Sequence, residues 1–121
     1  MMDIKELGKK GEDIAVNFLR KQGYIIFKRN YHSRYGEIDI IAEKGERLLF
    51  VEVKTRSEDA MVSPAEAVDY QKQNKIRMTA KSFLSKTFID YECRFDVAEV
   101  TAINVDGEYI FSINYIENAF E

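Results

Sequence analysis

The stretch Leu48-Leu49-Phe50-Val51-Glu52-Val53-Lys54-Thr55-Arg56 constrains this chain more than any other. From Leu48 to Val53 it is apolar on both alternating faces except at Glu52. A strand of that kind has no face for water. It must be covered on both sides, which places it at the centre of a layered α/β sheet. Leu48, Phe50, Glu52 and Lys54 share one face; Leu49, Val51, Val53 and Thr55 share the other. A carboxylate and an ammonium on a buried face need partners or access to water.

The preceding stretch, Gly36-Glu37-Ile38-Asp39-Ile40-Ile41, reads as the neighbouring strand over 37–43. Alternation puts Glu37, Asp39 and Ile41 on one of its faces and Ile38, Ile40 and Ala42 on the other. Lys44-Gly45-Glu46 has the length of a hairpin connection to the strand over 47–56. Antiparallel pairing can bring Asp39 and Glu52 onto one face, within reach of one cation. Two readings stay open for Asp39, Glu52 and Lys54: a metal-dependent phosphodiesterase site, or an ion pair at a strand end.

The flanking elements follow from the same patterns. Residues 3–22 read as a helix, with Asp3 as N-cap, Glu6 in the capping-box position and Gly23 as the stop. Ile4, Leu7, Ile14, Ala15, Phe18 and Leu19 form its apolar face. Gly8 and Gly11 fall on that face and predict close backbone approach to something beneath. Glu12 lies at its margin, as either a solvated residue or one that leans into the site. Residues 24–31 are aromatic and β-branched and predict a strand. The loop 32–36 carries His32, the only histidine, read as a loop residue, and Arg34 between Tyr31 and Tyr35.

Ser63-Pro64-Ala65-Glu66 predicts the start of a second helix, running to about Lys86. Its inner stripe is Ala65, Val68, Ile76, Ala80 and Phe83, with Asp69 and Lys72 projecting onto it. Those two either line a cleft or form an i,i+3 pair. Lys72, Lys75, Arg77, Lys81 and Lys86 make this the most basic segment. Residues 93–103 predict a fourth strand, in which Asp96 is expected to cap or to pair with a neighbouring basic side chain. Asp106-Gly107 is a hairpin turn signal, and 108–115 a fifth strand. Residues 116–121 read as a tail with exposed aromatic content.

At 121 residues the chain is one domain, 1–121, long enough to bury about two thirds of its unfolded surface without disulfides or a structural metal. The single cysteine, Cys93, excludes an internal disulfide and fits a reducing compartment. The N-terminus lacks a signal-peptide run. No apolar segment nears the roughly 18 residues of a membrane span. The expectation is a cytoplasmic protein with no membrane partner. A net charge of −3 runs against a non-specific phosphate binder, although clustered metal-binding carboxylates contribute such charge themselves.

Phosphodiester hydrolysis needs a deprotonated water, neutralised phosphorane charge and a stabilised leaving oxygen. Mg²⁺ or Mn²⁺ held by one or two carboxylates supplies much of this. Asp39 and Glu52 match that need, and the Val53 carbonyl could add a third oxygen. Lys54 would orient the water or hold the scissile phosphate. Glu12 would complete the metal site or bind a second cation. Arg34, Arg56, Lys72 and Lys75 are the candidate nucleic-acid contacts. No Gly-rich phosphate loop, zinc cluster or Ser/His/Asp arrangement competes.

Four pieces in order carry a resemblance: Gly8-x-x-Gly11-Glu12, Gly36 to Ile41, Phe50 to Arg56, and Arg94-Phe95-Asp96-Val97. The chain resembles the PD-(D/E)XK restriction-endonuclease-like superfamily and, more closely, the YraN-like family of small bacterial proteins. The resemblance implies an α/β, restriction-endonuclease-like three-layer core, with a mixed sheet of about five strands flanked by helices. It puts Asp39, Glu52 and Lys54 at the nuclease positions. Glu12 resembles the first-helix glutamate of archaeal Holliday-junction resolvases. The proline that usually precedes the Asp is absent, with Glu37-Ile38 in its place. The implied activity is metal-dependent hydrolysis of DNA, on branched or structured DNA among other substrates. The alternatives are a non-catalytic nucleic-acid-binding or adaptor module that keeps the fold, and a purely structural ion-pair network. Resolution of a symmetric four-way junction would ask for a homodimer, with Tyr115, Ile116 and Phe120 as one candidate surface.

Overall fold

The computed structural model describes residues 2–58 and 68–121. The elements run α1 (Ile4–Lys21), β1 (Ile25–Ser33), β2 (Gly36–Lys44), β3 (Arg47–Ser57), α2 (Tyr70–Leu84), β4 (Glu92–Val105) and β5 (Glu108–Phe120). All five strands join one sheet in chain order. The β3–β4 pair is parallel and the other three pairs are antiparallel. The parallel pair requires a crossover, and α2 lies within it. The α/β class and the restriction-endonuclease-like three-layer core with a mixed sheet are therefore what the chain adopts. Among the described residues no helix is long and apolar enough to cross a membrane.

Each face of the sheet has its own core. Ala15, Val16 and Leu19 of α1 pack on Ile40, Ala42, Leu49, Val51 and Ala98. Ile76, Ala80 and Phe83 of α2 pack on Ile38, Ile41, Leu48 and Phe50. The central strand predicted over 47–56 is thus covered on both sides, and Leu48 to Val51 are at most 1% exposed.

One predicted face is corrected. Strict alternation would set Ile38 beside Ile40, but Ile38 joins the α2 core and Ile40 the α1 core. The switch occurs where the β2–β3 ladder ends, at Ile40 opposite Val51. In the partner strand Asn30 adopts φ +51 at the same level.

Helix α1 starts and stops as its sequence dictates. Asp3 Oδ1 accepts from the Glu6 amide at 2.8 Å. Gly23, at φ +91, closes the helix: the Gly23 amide donates to the Arg20 carbonyl and the Tyr24 amide to that of Leu19. The two inner glycines differ. A Cβ on Gly11 would lie 1.8 Å from Thr55 Oγ1, so α1 rests directly on β3 there. Gly8 faces open space, and Ile4 is exposed.

The predicted start of the second helix at Ser63-Pro64 lies outside the described residues. The helix that is seen begins at Tyr70 with Asp69 as its N-cap, Oδ1 accepting from the Lys72 amide at 2.8 Å. Asp69 is therefore a cap rather than a cleft-lining residue or the i,i+3 ion-pair partner of Lys72, whose ammonium reaches Glu52 instead. At the other end of the chain, residues 116–120 continue β5 rather than forming a tail. The polar residues Glu117 and Asn118 hide this in the sequence, since they fill an irregularity opposite Asp96.

Candidate functional site

Glu52 is brought into position by its strand. Leu48 and Phe50 anchor the α2 face of β3, and alternation carries Glu52 and Lys54 onto the same face. Asp39 arrives from β2 at the point where the two strands part. Its Oδ2 accepts the Val53 amide at 2.8 Å, a donor that a continued ladder would have given to a backbone carbonyl. A side chain thus satisfies the strand where its neighbour leaves it. The same bond holds the Asp39 carboxyl group against that of Glu52.

The Glu52 side chain is only 7% exposed. Lys72 Nζ stands 3.7 Å from Oε2, and Lys54 Nζ 4.0 Å from Oε1. Both separations exceed the roughly 2.7–2.9 Å of a charge-assisted hydrogen bond. Burial pushes the Glu52 carboxyl up to about 8, and the Asp39 carboxylate beside it adds to the rise. The two lysines pull in the opposite direction without overcoming it.

Two oxygen-rich groups therefore meet in a niche where both cannot ionise freely. Hard divalent cations such as Mg²⁺ and Mn²⁺ take donors of this kind. Among the described residues no three Asp, Glu, His or Cys side chains gather as a metal cage. Mg²⁺ needs no such cage, since one or two carboxylates and several waters complete its shell. The pair fits the ion on chemistry.

Glu12 has other partners. Its Oε1 accepts from Arg29 Nε and from Asn30 Nδ2, both at 3.0 Å. Arg29 also reaches Asp13 Oδ1 at 2.8 Å, which holds the Asp13 carboxyl below its usual range. Glu12 is thus tied to β1 at the two residues next to the β2 bend that carries Asp39. Arg29 and Asn30 carried no signal in the sequence beyond a polar pair inside a strand pattern.

The profile of uncharacterised protein family UPF0102, the YraN-like group, matches residues 11–100. This chain belongs to that family. A UPF0102 protein of Alkaliphilus oremlandii is 46% identical over 119 residues, covering 96% of this chain and 98% of the relative. One from Dictyoglomus turgidum is 42% identical over 120 residues, covering 98% and 100%. One from Clostridium botulinum is 43% identical over 119 residues, covering 97% and 95%. The matched span of the family includes Asp39, Glu52, Lys54 and Lys72.

The basic residues surround this niche unevenly. Lys72 reaches Glu52. Lys75, one turn on, packs its Cβ over Gly36 at the β1–β2 turn, and Thr79 after it bonds Ser33 at 2.9 Å. The same turn carries Arg34, which is exposed and donates to Tyr35 Oη at 2.7 Å. Arg56 follows Lys54 on the same face of β3, half-buried. His32 lies at the end of β1, 3.7 Å from Glu37 and largely exposed.

Asp96 belongs to a separate network. It is fully buried and accepts from Arg94 at 2.9 and 3.0 Å, from Tyr115 Oη at 2.6 Å and from the Asn118 amide at 2.9 Å. The pairing of Asp96 with a neighbouring basic side chain is the one its sequence suggested. Tyr115 stacks on Phe18 and Phe120 on Phe95, with centroids 4.9 and 5.1 Å apart. These rings belong to the fold, and the exposed aromatic tail offered as a dimer surface does not exist in that form.

Proposed function

We propose that this protein is a Mg²⁺- or Mn²⁺-dependent nuclease that hydrolyses DNA phosphodiester bonds, branched or structured DNA included. One observation carries the reading. Glu52 is buried against the Asp39 carboxyl group, and its ion pairs with Lys72 at 3.7 Å and Lys54 at 4.0 Å are too long for hydrogen bonds, so two carboxyl groups share one niche. Family membership supports it only as far as the shared core.

Asp39 and Glu52 would hold the cation, which supplies an acidified water and neutralises developing phosphate charge when bound. The remaining work falls to the chain. The Val53 amide fixes the Asp39 carboxylate. Lys54, on the face of Glu52 and partly exposed, orients the attacking water or holds a scissile phosphate oxygen. Lys72 offers a second ammonium on the opposite side of the carboxylate. Lys75, Arg34 and Arg56 extend the positive rim along which a phosphate backbone would run. Glu12, through Arg29 and Asn30, braces β1 where Asp39 departs.

The test is cleavage of linear, single-stranded and branched DNA with Mg²⁺ or Mn²⁺, alongside calorimetric titration of each ion. Activity should vanish in Asp39→Ala and Glu52→Ala while the fold persists. The absence of both cleavage and ion binding in the intact chain would overturn the proposal. Salt-sensitive, metal-independent DNA binding that survives Glu52→Gln would identify a non-catalytic binding module instead.

A further inference from the structure

A cleft of about 240 Å³ opens beside the candidate site, lined by Val68, Gln73, Val97, Glu99, Ile116, Ala119 and Phe120. Strand register fixes its place. Val97 pairs with Glu52 and Glu99 with Lys54 across the parallel β3–β4 ladder, so all four share the α2 face. Val97 and Glu99 of the cleft are therefore the direct cross-strand neighbours of Glu52 and Lys54, with backbones roughly 4.8 Å apart. Lys72 borders Glu52, and Gln73 after it forms the cleft wall.

The chemistry of the lining is selective. Val97 and Ile116 supply an apolar floor, and Phe120, stacked on Phe95 with Arg77 over its ring at 5.4 Å, closes one side of it. Gln73 is immobilised, donating to the Val68 carbonyl at 3.2 Å and accepting from Arg77 at 3.0 Å. Glu99 Oε1 accepts from Asn114 Nδ2 at 2.9 Å. Its Oε2 takes no hydrogen bond among the described residues. The cleft is smaller than the roughly 300–1,000 Å³ of sites for drug-sized ligands, which suits a single flat ring. A carboxylate oxygen accepts and does not donate, so it favours a ring with an exocyclic amino group.

We infer that this cleft receives one unpaired base with an exocyclic amino group (cytosine, adenine or guanine) from DNA whose neighbouring phosphate lies at Glu52 and Lys54. The inference rests on the nuclease reading above and narrows it: the substrate is DNA with an unstacked base beside the cleaved bond. Phosphates would follow Lys54 and Lys72 while the adjoining base leaves the stack and lies over Val97 and Ile116, beside Phe120. Glu99 would accept its amino hydrogen. An extruded base is cheapest to supply from a bulge, mismatch or branch point.

The experiment compares three labelled duplexes by anisotropy with Ca²⁺ and by cleavage with Mg²⁺: fully paired, with one extra cytosine, and with one extra thymine. The cytosine bulge should bind about tenfold tighter than the paired duplex, within what burying one flat ring on an apolar floor supplies. Ala119→Trp, at an exposed position on the cleft mouth, should remove that gain and leave paired-duplex binding unchanged, with circular dichroism reporting the fold. Glu99→Gln should reduce the preference for cytosine over thymine, because the amide can also donate. Equal binding and cleavage of all three duplexes overturns the cleft inference and leaves the nuclease reading intact. A bulge preference without cleavage overturns the nuclease reading and keeps the cleft as a base-binding site. The absence of both binding and cleavage with all three duplexes overturns both readings.

Discussion

Replacing Glu52 with glutamine should stabilise the metal-free protein. Burial and the Asp39 carboxylate push the Glu52 carboxyl from its usual 4.5 up to about 8. Between those values the folded chain holds a proton that the unfolded chain has released. Stability of the metal-free protein is therefore highest below about pH 4.5 from this group, and falls as pH rises through the window to about 8. At pH 7 the gap spans about 2.5 pH units at 1.36 kcal/mol each, or about 3 kcal/mol as an upper bound. Glu52→Gln removes that cost and should flatten the decline between pH 5 and 8. The assay is urea denaturation with EDTA, followed by far-ultraviolet circular dichroism at several pH values, with an unchanged slope on urea. Mg²⁺ at about a hundred times its dissociation constant should close most of that gap, adding about 2.7 kcal/mol to the wild type and nothing to the variant. The reasoning is refuted if wild-type stability rises over pH 5–8, or if the variant is less stable at pH 7. Either would mean that Lys54 and Lys72 form a true ion pair with Glu52, whose breakage costs roughly 3–5 kcal/mol.

Four further outcomes follow from the same geometry. Lys54→Met should lower metal-dependent cleavage about 10²–10³-fold, the usual loss for one group that stabilises developing charge, with metal affinity by calorimetry retained. Gly11→Ala should destabilise by about 1–3 kcal/mol in urea, since its Cβ would sit 1.8 Å from Thr55 Oγ1 and force α1 off β3. Gly8→Ala, facing open space in the same helix, should instead stabilise by about 0.5–1 kcal/mol; the opposite signs in one melt series separate packing from helix propensity. Asp96→Ala should cost about 3–5 kcal/mol by leaving the Arg94 guanidinium without its buried partner, while a metal titration of the variant that still folds remains unchanged.

Family membership gives these results a frame: relatives from Alkaliphilus, Dictyoglomus and Clostridium cover nearly the whole chain. An active site on this core would be confined to the α2 face of β3 and its neighbours. There α2 meets β2 while the sheet near Val97 and Glu99 opens into a cleft. On the α1 face the corresponding positions are filled by Gly11 against Thr55 and by the Asp96 network. The two faces of one sheet thus divide the labour: one is closed by packing and buried hydrogen bonds, the other leaves charged groups within reach of solvent.

Local pattern by itself determined the elements of this protein. Asp3 and Gly23 bound α1, Asp106-Gly107 turned β4 into β5, and the run Leu48 to Val53 demanded a central strand. Period-2 alternation also put Glu52 and Lys54 on one face. These are consequences of side-chain direction and turn chemistry over a few residues. What tertiary structure alone decided involves strands that meet at a distance. Asp39 faces Glu52 because the β2–β3 ladder opens at Ile40 and the Val53 amide turns to a carboxylate. Asp69 is a cap, Glu12 is drawn to Arg29 and Asn30, and residues 116–120 are strand because Asp96 satisfies their irregular backbone. The Glu52 acidity shift belongs to the same class. It depends on which groups share the niche, and no spacing along the chain encodes that.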